Sequence, residues 1–139
     1  MQRNLNRTIS QLLHQKWNGP VPTSNDSYIR QTLYRLYNTA ISDLDIEDIR
    51  FLINQEILLD DIMPLAVEQL QSNILAEGDF YEGDLLNAAL SVGSEFWSKH
   101  PALKETLKKT IRNHMWEIEA AGLPRQVGRN IESFLSDAQ

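Results

Sequence analysis

Twelve carboxylates lie between Asp43 and Asp84, with a single base, Arg50, among them; even scatter of the chain's 19 acids would place about six there. Three kinds of chemistry draw on such a concentration: calcium ligation, paired-carboxylate hydrolysis, and a negative field offered to a basic partner. Calcium fits poorly. Asp43-x-Asp45-x-Glu47 opens like an EF-hand loop, but Asp48 stands where that loop turns on glycine, and Asn54 where it needs a bidentate glutamate. Paired carboxylates for glycoside hydrolysis need a separation in space that the sequence leaves open. Histidine adds nothing to either chemistry: His14, His100 and His114 are scattered, and none has a metal spacing. His114 reads as a hydrogen-bonded core residue, and His100 as a helix-end residue favoured by the dipole. The chain contains no Gly-x-Ser-x-Gly elbow, phosphate-binding loop or dinucleotide fingerprint. No enzyme, metal or cofactor is expected.

Ordinary helix grammar accounts for part of the excess. Asp43, Asp45, Glu47 and Asp48 fall at the start of one expected helix, Asp60 and Asp61 at the start of the next, and Asp84 at a third. There a carboxylate accepts from unpaired amides and suits the positive dipole end, at about 0.3–1 kcal/mol each. Glu68 reads as a solvated helix-face residue. Glu56, Glu77, Asp79 and Glu82 are left over. Three of these share the loop Glu77-Gly78-Asp79-Phe80-Tyr81-Glu82-Gly83-Asp84. Like charges packed this closely repel unless a cation offsets them. The expected partner-binding face is therefore Glu56, Asp60, Asp61, Glu77, Asp79, Tyr81 and Glu82. Between Phe80 and Tyr81, one is expected to plug the core.

The elements that position these groups read as helical throughout. Thr8-Ile9-Ser10-Gln11 is a capping box opening a helix through Leu12, Leu13 and Trp17, which Gly19 and Pro20 stop. A second helix runs from about Asn25 to Tyr37 and buries Ile29, Leu33, Leu36 and Tyr37. A third starts at Asp45 and places Ile46, Ile49, Leu52 and Ile53 on one face. The fourth follows Asp60 and Asp61 with Pro64 in its first turn. Asp84 and Ser94 cap two short helices. One long helix runs from Pro101 to just before Gly122, with Lys104, Lys108 and Arg112 as a solvated basic row, and a last follows Pro124. No segment alternates as a strand does. The expectation is an all-α single compact domain, residues 1–139, of seven to eight helices.

The 139 residues carry a net charge of −6 and no cysteine. The acidic balance argues against free nucleic acid as ligand, because phosphate neutralisation needs Lys and Arg. Absence of cysteine fits a reducing compartment. The opening Met1-Gln2-Arg3-Asn4-Leu5-Asn6-Arg7 has no apolar run behind its charges and does not read as a signal peptide. No stretch is apolar enough to span a membrane. A cytoplasmic protein is expected.

Several segments together resemble the all-helical immunity proteins (CdiI) of bacterial contact-dependent growth inhibition (CDI) systems. The resemblance runs through Thr8-Ile9-x-Gln11-Leu12, Trp17-x-Gly19-Pro20, Asp26-Ser27-Tyr28 and Ile46-Glu47-Asp48-Ile49-Arg50-x-Leu52-Ile53-x-Gln55. It continues in Ile62-x-Pro64-Leu65-Ala66, in Leu75-Ala76-Glu77-Gly78-Asp79-Phe80-Tyr81-x-Gly83-Asp84-Leu85-Leu86, and in Ser91-Val92-x-x-Glu95-Phe96-Trp97 with Pro101-x-Leu103. The loop motif is its most specific piece. Two positions depart. Such proteins usually have an aspartate-proline pair where this chain has Gly93-Ser94, and commonly glycine or asparagine near Gln55 and Glu56. The resemblance implies a cytoplasmic inhibitor that binds the toxic C-terminal domain delivered by a neighbouring cell and blocks its active site. In this helical group that toxin is expected to be a ribonuclease, with a cationic cleft that an acidic surface can occupy. The competing reading is an acidic helical adaptor, or nucleic-acid mimic, that binds several basic proteins.

Overall fold

The computed structural model describes residues 5–136. The reading of the first residues as no signal segment, and both ends of a domain spanning 1–139, fall partly outside them. The described residues are all-α: nine α-helices and one 3-10 turn, with two isolated β-bridges and no strand. They gather into two compact units that divide between Asp45 and Ile46.

The first unit holds α1 (Ile9–Leu13), α2 (Tyr28–Tyr37) and the 3-10 turn Ile41–Asp43. The capping box forms as expected: Thr8 Oγ1 accepts from the Gln11 amide, and Gln11 Oε1 accepts from the Thr8 amide at 2.8 Å. The helix nevertheless ends at Leu13, because His14 turns left-handed at φ 56°. Trp17 therefore lies outside it. Its indole stands edge-on to Tyr34 and Tyr37, and the Arg30 guanidinium lies 5.0 Å over its ring. The second helix starts three residues late, capped by Ser27. Asp26 instead accepts from the Thr23 amide, and Ile29 is exposed.

The second unit holds α3 (Ile46–Asn54), α4 (Leu59–Ser72), α5 (Asp84–Leu90), α6 (Ser94–Lys99), α7 (Pro101–Asn113), α8 (Met115–Ala121) and α9 (Arg125–Ser136). Helix α3 packs on α4 and α5, α4 also on α7, and α5 on α9. The core they enclose includes Leu52, Ile53, Ile62, Met63, Leu70, Leu85, Leu86, Leu107 and Ile111, all under 2% exposed. Burying each contributes about 1.5–3 kcal/mol.

Several local expectations are corrected here. Pro64 is the sixth residue of α4, not part of its first turn, so the Asp60 carbonyl loses its normal i+4 donor. Glycines, not Asp84 or Ser94, occupy the cap positions of α5 and α6. The expected long helix is broken at His114, whose Nδ1 pairs with Glu117 Oε1 at 2.9 Å while its backbone leaves the helical region at φ −122°. That break is what raises the helix count to nine. Lys104 and Lys108 are buried, at 7% and 5% exposure, so of the expected solvated row only Arg112 is exposed. Lysine stems carry enough hydrocarbon to pack this way, and Lys104 Nζ lies 6.0 Å from the Phe134 ring centroid.

Candidate partner-binding face

The loop from Glu77 to Asp84 is built from behind by two carboxylates and one guanidinium. Asp84, the first residue of α5 and 4% exposed, turns its carboxylate back into the loop. Its Oδ1 accepts the Gly78 amide at 2.7 Å, and its Oδ2 the Phe80 and Tyr81 amides at 3.0 and 3.4 Å. Glu47, on the first turn of α3, accepts the Asp79 amide at 2.9 Å. The loop amides from Gly78 to Tyr81 are thus all satisfied by these two side chains. Their combined charge is met by Arg50, one turn along α3. It grips Glu47 through two parallel bonds of 2.7 and 2.6 Å and lies 4.0 Å from Asp84 Oδ2. A Glu77–Glu82 bridge closes the loop at its base.

Two glycines permit this arrangement. A Cβ at Gly78 would collide with the Glu47 carboxylate and press on that of Asp84, so only hydrogen leaves room for the amide to approach. Gly83 turns left-handed at φ 89°, which aims Asp84 inward.

The Arg50 bonds hold the Glu47 carboxyl below its usual 4.5; burial pushes the other way, and the Asp79 amide adds to the lowering. A depressed carboxylate stabilises the fold above its unfolded pKa and loses that contribution as pH falls through the folded one. Stability to urea is therefore expected to decline below about pH 4.5, and Glu47→Gln to make that acid limb shallower. An acid limb equally steep in the variant would remove Glu47 from the account.

With Glu47 and Asp84 spent inward, the expected partner-binding acids point elsewhere. Glu77, Asp79 and Glu82 are exposed, and none makes an ion pair among the described residues. Tyr81 is half-buried; its hydroxyl accepts from Asn87, which in turn accepts from Asn130 at 2.8 Å. Phe80, weighed with Tyr81 as a core plug, is instead 66% exposed, its ring 4.4 Å from the Arg50 guanidinium.

Glu56, Asp60 and Asp61 come together elsewhere, lining one open groove of about 490 Å³ with Glu95, Phe96 and Lys99. Two acids of the groove, Asp60 and Glu95, have partners. Asp60 Oδ1 meets His100 Nε2 at 2.9 Å, and the His100 ring stacks on Phe96. Lys99 answers Glu95 at 3.8 Å across solvent. Glu56 is held at φ 55°, with Leu58 at φ 52° close behind. Left-handed backbone suits glycine and asparagine and costs other residues about 1–2 kcal/mol. The glutamate at this position is therefore a strained choice.

Sequence reasoning missed Glu47, Arg50 and Asp84 as loop-builders and Phe80 as a surface residue. Only the isolation of Arg50 among twelve acids hinted at the first. Among the described residues, no three His, Asp or Glu side chains gather as a metal site, and no helix is long and apolar enough to cross a membrane.

A family model described as CDI immunity proteins matches residues 11–107. No curated protein and no solved structure matches the chain significantly.

Proposed function

The chain belongs to the CDI immunity proteins, and from that premise we propose that it binds the C-terminal toxin domain of its cognate CDI effector in the cytoplasm and neutralises it by covering the active site with an acidic face. The toxin is a ribonuclease or similar enzyme that holds phosphates in a cleft of Lys, Arg and His. The face comprises Glu77, Asp79, Tyr81 and Glu82 on the loop and Glu56, Asp60 and Asp61 in the groove, with residues 1–139 acting as one domain. It works by occupancy and performs no reaction.

One observation supports this most directly: the loop divides its carboxylates. Glu47 and Asp84 are consumed in building it, while Glu77, Asp79 and Glu82 remain outward on a backbone fixed at four consecutive amides. Among the described residues none of them has an ion-pair partner, so a partner's cations would relieve their mutual repulsion. A cationic cleft supplies those cations, and the same field speeds encounter.

Protection is tested by producing a CDI toxin domain, sought in the reading frame upstream of this chain's, with and without this chain. The toxin Kd is expected to rise about tenfold or more between low and moderate salt. Reversing Asp79 and Glu82 to lysine is expected to slow association by about tenfold or more while leaving the melting temperature near that of the parent. Affinity indifferent to salt contradicts the electrostatic mechanism. A charge-reversed loop that melts early but binds normally makes these acids scaffold. Recovery of many nucleic-acid-binding proteins in place of one toxin supports the acidic-mimic reading.

A further inference from the structure

Phe80 is a large apolar side chain that the fold leaves in water yet backs with specific contacts. Its amide is pinned to Asp84 at 3.0 Å, the preceding amide to Glu47, and one face of its ring rests 4.4 Å from the Arg50 guanidinium. At 66% exposure the remainder of the ring is open. The electron-rich faces of a benzene ring attract cations. Arg50 occupies one face, its charge offset by the Glu47 carboxylate to which it donates two bonds, and the other face is left open to a second cation. On either side of Phe80 in the chain, Asp79 and Glu82 are exposed carboxylates.

We propose that the outer face of Phe80, between Asp79 and Glu82, receives one arginine or lysine side chain of the toxin domain, so that the ring lies between a cation of its own chain and one of the partner's. This rests on the reading that the loop faces the toxin, and it names the group the loop accepts. A cation arriving there meets a ring face for its desolvated plane or methylenes and carboxylates for its N–H donors. Because backbone and ring are set beforehand, docking loses little conformational freedom, the condition under which an aromatic residue dominates an interface.

The test compares three replacements in the full chain, by toxin affinity and by melting temperature. Phe80→Leu keeps apolar bulk and removes the π face; Phe80→Ala removes both; Phe80→Trp keeps the face. Leucine and alanine are each expected to weaken toxin binding by about five- to thirty-fold, and tryptophan to stay within about twofold. Leucine binding as tightly as phenylalanine overturns the cation-receiving role and leaves a plain apolar anchor. All three binding like the parent removes Phe80 from the interface, with neutralisation itself untouched. If the unaltered chain does not bind the toxin, this assignment and the proposed function fall together. A lowered melting temperature with unchanged affinity assigns Phe80 to covering Arg50, and also overturns the proposal.

Discussion

Asp84→Ala is expected to destabilise the protein by about 3 kcal/mol or more, a loss on the order of 10 °C in Tm for a chain of this size. The substitution withdraws the acceptor from three amides, those of Gly78, Phe80 and Tyr81, and takes a buried negative charge away from Arg50. Water can reach part of the loop, so its amides are not abandoned equally. Gly78, whose bond is the shortest of the three, loses most. Asp84→Asn is the milder variant. It keeps one acceptor oxygen but sets an NH2 donor against the amides that met the other and lacks the charge, so it is expected to recover only part of the loss. Urea denaturation gives the total, and hydrogen exchange at Gly78, Phe80 and Tyr81 locates it. An alanine variant within about 1 kcal/mol of the parent would show that the loop stands without its acceptor.

Arg50→Met is expected to match or exceed that, at about 3–5 kcal/mol. The side chains of Arg50, Glu47 and Asp84 are only 12%, 13% and 3% exposed, so removing the guanidinium strands two carboxylates out of water beside each other. Breaking such a pair from one side costs far more than the pair contributes, because the remaining charge has no solvent to return to. Two corollaries identify the mechanism. The deficit should shrink as pH falls, since protonating Glu47 removes one of the stranded charges once the guanidinium no longer helps to hold its pKa down. The double variant Glu47→Gln with Arg50→Met should be less damaged than the two singles added together, with a coupling above about 1 kcal/mol. Strict additivity would mean that the three groups do not act as one unit.

The two cases show where reading from sequence succeeds and where it stops. Apolar periodicity places most helices because a repeat of three to four residues is local, and the capping box at Thr8 is local too. Boundaries fail where one backbone angle decides, as at His14, or where a side-chain bond competes with the next turn, as between His114 and Glu117. The carboxylates are harder still. Glu47 and Asp84 look like residues of helix starts, and they do sit there, but their oxygens are spent on a loop, 32 residues away from Glu47 in the bond to Asp79. Nothing in local spacing reports a contact of that range. Phe80 misled for a related reason. An aromatic pair in a polar loop suggests that one of them plugs the core, yet the place behind Phe80 is occupied by a guanidinium.

This also separates what marks the family from what chooses a partner. The most specific part of the motif, from Leu75 to Leu86, contains Gly78, Gly83 and Asp84, which build the loop. On the proposed face the side chains of Asp79 and Glu82 accept none of the loop's amides, and under that proposal they, with Phe80 and the groove acids, would discriminate between toxins.

The left-handed backbone at Glu56 has an evolutionary consequence. Both glutamate codons lie one nucleotide from a glycine codon, so the substitution that relaxes this position is also among the easiest to reach. A population selected for fold stability alone should find glycine at 56 early. One selected for toxin resistance should keep glutamate if its carboxylate meets the toxin. The residue that persists under each regime thus reports, without a structure of the complex, whether the strain at this turn is a defect or the cost of a contact.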